Sequence, residues 1–540
     1  MRKLRYRITP LLMVLGLLLS LAGCRTFSLS EEELTELEED EAQVVVGQST
    51  VQTIGQELAA TYAADHIFSL NCVSDTTYNP FLTSSAWNKV VGMLVYETLV
   101  EQDEGFSAQP NLITSWKTED GLTWTFTVDT TRAFHDGGRM TSLDAAYSLQ
   151  LAMNYEGAYN TRFRHVQDVY WDGEEVLNVV LRTPDYQFYQ LMNIPCVEYE
   201  TGFQDRPPGT GPYKFSASGR YLTLVKDHPL ADRMPLETIH LKEYSAAVDI
   251  LQAFEDSYID LVINDPNGMS SLGYSNTNII KYVNTSSMHY LAYNLSSPVF
   301  SQMPYRQLLT YAVDRNSIVT ELMKGAATAA AVPVAPQTEL YPEELAESLG
   351  YSESLLAVAM AQAGVQDLDG DGVLELAGAP YVIDFVVCAE SGTKVAAARN
   401  IAKKLQDAGF GVELRELGYE DYTEALKKGE FDIYYAEVRL CADWDLTLLL
   451  GSGGSLNFGG VRDAALDELL SRFLATDGQA HAQAAQELYQ HIGQNAYLTP
   501  ICFEKSEVLY HRGVLSGLNP TQDNIFHGME NWEVNITDLQ

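Results

Sequence analysis

The chain has 540 residues and a formal net charge of −39 at pH 7, with 46% hydrophobic and 10% aromatic residues. That acidity excludes nucleic acid and anionic membrane surfaces as partners, since both attract basic patches. The length implies several lobes, and the apolar content is sufficient for a core in each.

Arg2, Lys3, Arg5 and Arg7 precede an apolar run from Leu11 to Leu21, which leads into Leu21-Ala22-Gly23-Cys24. A basic start, a short apolar run and small residues at the end read as an export signal over 1–23, because a spanning helix needs about 20 apolar residues. Leu-Ala-Gly-Cys is similar to the bacterial lipobox. That resemblance implies that Cys24 becomes the first mature residue and carries a lipid; a plain secretory signal with an incidental cysteine is the other reading. Residues 24–43 follow as a tether, with eight acids among the eleven residues Glu31 to Glu41. Such a run repels itself and buries little. The other five cysteines, Cys72, Cys196, Cys388, Cys441 and Cys502, lack metal-ligand spacing, and an odd number cannot all pair within one chain. Burial without pairing is expected for most of them.

Phe68 to Cys72 is a strand candidate, Thr76 to Pro80 a turn, and Thr83 to Asn88 the approach to an apolar helix over Val90 to Leu99. Thr123 to Val128 alternates polar with apolar residues behind the tight-turn pair Asp120-Gly121, so Ser115 to Val128 reads as a β-hairpin. Phe134-His-Asp-Gly-Gly138 is a second turn, and Thr141 with Asp144 three residues later opens a helix with a capping box. Strand patterns return from Val166 to Leu181, a helix start at Asp185 to Leu191, and the turn Gly209-Thr-Gly-Pro-Tyr-Lys-Phe215 launches another strand. It is not a phosphate loop, because Lys214 lies within a strand pattern. Ile239 to Tyr244, Ala247 to Phe254 and Tyr258 to Ile263 read as strand, helix and strand, a rhythm that predicts a parallel sheet. Tyr290 to Asn294 is a strand and Met303 to Val319 a helix.

Asp367, Asp369, Asp371 and Glu375 occupy positions one, three, five and nine of a calcium-type loop, with glycine at six. Position twelve is Gly378 rather than a bidentate Glu, so a structural turn is favoured over calcium. Strands at Tyr381 to Val387, Val412 to Leu417 and Phe431 to Glu437 alternate with helices Lys394 to Ala408 and Tyr419 to Lys428, predicting a second parallel sheet. Cys441-Ala-Asp-Trp-Asp445 lies just past the last of these strands, where ligands sit in open α/β sheets. Helices at Asp463 to Phe473 and Ala480 to Ile492 and a strand at Tyr497 to Phe503 complete the order.

The residues Tyr96, Glu97, Leu99, Pro110, Leu112, Ser115, Trp116, Asp120, Gly121, Phe126, Phe134, His135, Asp136, Gly137, Asp144 and Ser148 keep step with the longest motif of the family-5 extracellular solute-binding proteins. These are the oligopeptide- and dipeptide-binding components of ABC importers. The turn at 209–215 resembles the second family motif, and Arg306, Ala312, Asp314, Arg315 and Ile318 the third, with departures at Tyr305 and Leu308. The resemblance covers nearly the whole chain after the tether.

It implies an α/β, two-lobed periplasmic-binding-protein-like fold of type II, in the large peptide-binder class with an extra subdomain and discontinuous lobes joined by hinge strands. Lobe I is expected from 44–70, 205–287 and 498–540, the extra subdomain from 71–204, and lobe II from 288–497. Ser84, Ser85, Ala86 and Trp87 are implied to face the ligand, although Trp87 reads equally as a lid over the core. Asp443 is implied to accept a peptide's α-ammonium group through a charge-assisted hydrogen bond, Trp444 to form an apolar wall, and Asp445 and Asn457 to contribute to the site. His135 is implied to be structural.

No catalytic motif is present, and no cofactor is expected. The expected function is a lipid-anchored, monomeric receptor on the outer face of the bacterial cytoplasmic membrane. It captures short peptides between two lobes and passes them to an ABC permease. An oligosaccharide or metal chelate as ligand, a sensory receptor uncoupled from import, and a secreted hydrolase are the alternatives.

Overall fold

The computed structural model describes residues 67–155, 157, 159–264 and 278–535. The expected export signal, Cys24, the acidic tether and the first stretch of the mature body lie outside these residues. Among the described residues no helix is long and apolar enough to cross a membrane.

The chain enters through strand β1 (Ser69–Cys72) and helix α1 (Ala86–Val95). Ser85 caps α1 by accepting a hydrogen bond from Asn88 N, and Val90, Val91, Leu94 and Val95 form its buried stripe. The expected hairpin is β2 (Ile113–Thr118) and β3 (Thr123–Val128), whose Trp124, Phe126 and Val128 turn inward together. Helix α2 (Ser142–Asn154) starts at the expected capping box, where Asp144 Oδ2 accepts from Thr141 N and from its hydroxyl, each at 2.8 Å. Strands β4 (Val166–Asp172) and β5 (Val176–Leu181) complete an antiparallel sheet of order β2-β3-β5-β4. The helix expected at 185–191 is a single 3-10 turn over Phe188–Leu191.

Strands β6 (Tyr213–Phe215), β7 (Tyr221–Leu224) and β8 (Thr238–Glu243) form a second sheet of order β1-β8-β7-β6. The first two motifs dock on one another here. His135 N donates to Gly209 O at 3.0 Å, His135 Nε2 lies 2.9 Å from Gly211 O, and Gly211 N donates to Val95 O at 2.9 Å. A Cβ on Gly209 would stand 2.1 Å from Val95 O, so only glycine allows the turn to approach the end of α1. Burial, the largest cause, lowers the imidazole pKa of His135 to about 4, which leaves it a neutral donor to that carbonyl.

The parallel pairing expected between the strands either side of helix α3 (Ala247–Glu255) does not form, and β8 pairs parallel with β1 instead. Helix α3 is followed by Ser257 at φ +62, and β9 (Leu261–Asn264) leaves the first sheet for another. The reason is packing: Ile250, Ala253 and Phe254 of α3 bury against Ile259, Val262 and Leu509 instead of β8.

Strand β10 (Asn278–Tyr293) is far longer than the five residues expected. It is followed by α4 (Met303–Ala312), β11 (Val382–Cys388), α5 (Gly392–Asp407), β12 (Gly411–Leu417), α6 (Tyr419–Lys428) and β13 (Ile433–Arg439). Helices α7 (Ala464–Leu474) and α8 (Gly478–Asn495) then lead to β14 (Leu498–His511). The parallel trio β13-β11-β12 is as expected, and it belongs to a seven-stranded sheet of order β9-β14-β10-β13-β11-β12, with Ala327–Ala329 added on β14.

Strands β10 and β14 run antiparallel along two successive stretches, Asn278–Asn284 with Lys505–His511 and Met288–Ala292 with Leu498–Phe503, with a register shift between them. Two long strands therefore connect both halves of the molecule. Along β10 the period-two alternation then serves two cores: Met288, Tyr290 and Ala292 pack with α7 and α8, while Leu291 and Tyr293 pack with α4 and α5. The five cysteines among the described residues are unpaired, and Cys72, Cys196 and Cys502 are buried.

Candidate ligand-binding cavity

A cavity of about 1090 Å³ is lined by α1 and the turn before it, by Tyr96 to Gln102, by the turn around Tyr155 to Arg162, by Arg439 to Ala442 past β13, and by the C-terminal segment 517–531. Its volume lies just above the range of small-ligand pockets, roughly 300–1,000 Å³. Ser286, at the register break of β10, forms part of its wall. A polar chain holds the C-terminal segment there. Arg162 donates to Asn193 Oδ1 at 2.8 Å, Asn193 Nδ2 to Asp523 Oδ2 at 2.7 Å, and Ser286 N to Gln522 Oε1 at 2.6 Å, while Arg439 lies 3.4 Å from Asp523 Oδ1.

Four lining residues carry buried polar atoms with no hydrogen-bond partner in the protein: Tyr96 Oη, Glu97 Oε2, Gln102 Oε1 and Tyr155 Oη. The other oxygen of Glu97 lies 3.4 Å from Arg132 and 3.6 Å from His228 Nε2, so the carboxylate is anchored on one side only. Leaving a buried polar group unpaired costs about 1–3 kcal/mol, and such groups call for a partner.

Of the eight residues expected at the site, Ser84 alone is in the cavity lining. Ser85 is occupied as the cap of α1, Ala86 is exposed, and Trp87 packs on the Ile250, Ala253 and Phe254 cluster, the lid position that was its second reading. Asp443 is buried and not in the lining, although Cys441 and Ala442, its neighbours in sequence, do line the cavity. Its Oδ1 accepts from Asp445 N at 3.1 Å. Burial first, and then the charge of Asp445, push the Asp443 carboxyl up to about 7, against the opposing pull of Arg164 and Arg162. Asp185 shares this environment and is also raised, by burial and by Asp443.

Trp444 sits at φ +56, with its ring edge-on to Phe106 at 5.4 Å and to Phe503 at 6.1 Å. Phe106 in turn lines the cavity, so Trp444 supports the wall from behind. Asp445 pairs with Arg164 and accepts from Thr447 N at 2.8 Å. Asn457 closes its own loop: its amide donates to Gly451 O and Val461 O and accepts from Val461 N, each at 2.9 Å. In the Asp367 loop, Asp367, Asp369 and Glu375 converge and Asp371 is not part of the group. These carboxylates take backbone amides, Asp367 from Gly370 and Gly372 and Glu375 from Leu368.

Gln102, Tyr155, Arg439 and Asp523 were missed from sequence. Glu97 was visible only as a motif letter. The single signal for the C-terminal segment is its turn composition from Gly517 to Asn524, which gives no position in space.

The family model for bacterial extracellular solute-binding proteins, family 5, matches residues 107–445. The oligopeptide-binding protein AppA of Bacillus subtilis is 24% identical over 490 residues, covering 85% of this chain and 89% of AppA. Two solved structures share the fold. One is AppA of Bacillus subtilis in complex with a nonapeptide (TM-score 0.61, 20% identity, 86% of this chain and 98% of that one). The other is a nickel ABC transporter protein from Bacillus halodurans (TM-score 0.70, 19% identity, 85% and 98%). With more than half of its length matched by the family model, on a two-lobed fold built around crossing strands, this chain belongs to the bacterial extracellular solute-binding proteins of family 5.

Proposed function

We propose that this protein is the receptor of an ABC importer, capturing short peptides in the 1090 Å³ cavity and presenting them to a membrane permease. The observation that carries the reading is the cavity itself, whose wall holds the hydrogen-bonding residues Glu97, Gln102, Asn193, Arg439 and Asp523, side-chain types that pair with a ligand's amides. The likeness to an oligopeptide-binding protein over 85% of the chain points the same way. Asp443 receives the peptide's ammonium group: burial and Asp445 hold its carboxyl partly protonated, and a cation beside it stabilises the ionised form. For that contact the segment 441–445 shifts toward the cavity when ligand binds.

Among the described residues, lobe I comprises 67–70, 205–264, 278–287 and 504–535, the extra subdomain 71–204, and lobe II 288–503, which moves the second boundary from the expected 498 to the register shift of β14. The bend falls where β10 and β14 change register, so the crossing on β14 lies near Phe503 to Lys505. Closure is a population shift toward the state in which ligand touches both lobes. The protein acts as a monomer held at the outer face of the cytoplasmic membrane through a lipid on Cys24.

The test is mass spectrometry of molecules released by denaturing the purified protein. A ladder of short mixed peptides supports the reading. A single non-peptide molecule, such as a metal chelate, replaces it with another ligand class on the same fold.

A further inference from the structure

Outside the cavity, three neighbouring strands bring His289 of β10, Glu437 of β13 and Glu504 of β14 to one point. Glu437 lies directly across from His289, and Glu504 is two residues beyond the cross-strand partner Cys502. Register shifts of the β10–β14 pair fall between Asn284 and Met288 and between His289 and Tyr290, so the cluster sits at an irregularity of the strands that join the lobes. Bulges of this kind re-aim side chains and concentrate next to functional sites.

The imidazole is fully buried, with side-chain exposure of 0%, while those of Glu437 and Glu504 are 27% and 17% exposed. Nδ1 lies 2.9 Å from Tyr435 Oη. Nε2 lies 2.7 Å from Glu504 Oε1 and 3.9 Å from Glu437 Oε2, yet makes no properly directed hydrogen bond to either. Glu437 is also held by Lys394 at 2.5 Å.

We propose that His289, Glu437 and Glu504 form a binding site for a divalent transition-metal ion of the zinc class. One imidazole and two carboxylates suit such an ion, whereas calcium and magnesium take oxygen ligands. Ligands about 2.1 Å from a tetrahedral ion stand about 3.4 Å apart, and the 2.7 and 3.9 Å separations bracket that distance. Nδ1 stands 2.9 Å from the Tyr435 hydroxyl, and in the tautomer that donates Nδ1–H to that oxygen the Nε2 lone pair is left for the metal, the arrangement usual for ligating histidines. The part-exposed carboxylates open the position to solvent and leave room for a water ligand. The cation takes over from Lys394 the charge of Glu437. None of the three residues lines the cavity, so the ion is separate from the transported solute and clamps three strands beside the hinge.

The experiment is calorimetric titration of the full-length protein with zinc chloride, together with thermal melts with and without zinc. Wild type, His289→Ala and Glu504→Gln are compared. One equivalent is expected to bind the wild type with a rise in Tm, and each variant is expected to bind at least tenfold more weakly with the rise lost. Glu504→Gln keeps the volume and decides the matter if His289→Ala fails to fold. Absence of zinc binding by the wild type, or wild-type affinity in Glu504→Gln, overturns the proposal. An equal response to calcium overturns the assigned metal class.

Discussion

Arg164, in the turn before β4, forms an ion pair with Asp445, 281 positions further along the chain in the loop after β13. It joins the sheet that carries the hairpin to the half of the molecule built on β10 to β13. Tyr186 N adds a hydrogen bond to Leu474 O at 2.8 Å across the same contact. Replacing Arg164 with Ala removes the cation facing Asp445 and Asp443. With one partner part-exposed, the expected loss is about 1–3 kcal/mol in urea unfolding. Small-angle scattering is expected to show a more open average. An unchanged midpoint and unchanged scattering would mean that the pair is solvated and idle.

Asp443 gives a pH-dependent prediction. Its folded carboxyl sits near 7 and its ordinary value is 3.8, so the folded state holds the proton more tightly than the unfolded chain. Ionisation therefore works against folding as pH rises from about 4, and most fully above about 7. Asp443→Asn is expected to stabilise the ligand-free protein at about pH 8, on the order of 2–4 kcal/mol, with the gain vanishing near pH 4. The same variant is expected to weaken peptide binding at least tenfold in calorimetry. A pH-independent Tm difference would disprove the raised carboxyl, and unchanged affinity would remove Asp443 from recognition.

Tyr96→Phe deletes a buried hydroxyl with no partner in the protein while keeping the ring that packs at the end of α1. Stability without ligand is expected to stay within about 0.5 kcal/mol or to rise, whereas peptide affinity falls roughly three- to tenfold. Measured on the same preparation, the two readouts separate a recognition group from a structural one.

Gly209→Ala places a Cβ 2.1 Å from Val95 O, backbone against backbone, so neither side yields cheaply. A destabilisation of about 3 kcal/mol or more is expected, through loss of the docking between the turns at 134–138 and 209–215. A midpoint within about 1 kcal/mol of wild type in urea would show that the turn can slide.

The carboxylates of the Asp367 loop already accept the loop's own amides. Chelation with EGTA is accordingly expected to leave Tm unchanged. A fall of several degrees restored by calcium would reassign the loop as a cation site.

Local chemistry was legible in the sequence. The hairpin with Asp120-Gly121 at its turn, the Thr141–Asp144 capping box and the parallel trio β13-β11-β12 each follow from side-chain period and turn residues within a few positions of one another. The three motifs together carried the family. Features set by distant partners were not legible. Polar residues Asn284 to Ser287 separate Ile279–Val283 of β10 from the expected strand at Tyr290, and the two stretches are one strand because β14 pairs with both. The segment 517–531 reaches the cavity through Asp523 and Gln522, whose partners Asn193 and Ser286 lie 330 and 236 positions away. Asp443 and Ser84 both lie in stretches expected to face ligand, and only packing decided that one is buried outside the lining while the other is part of it. Sequence pattern records which face of an element is apolar; which neighbour covers that face is fixed by the summed packing of chains far apart in sequence, and that placement belongs to the tertiary structure alone.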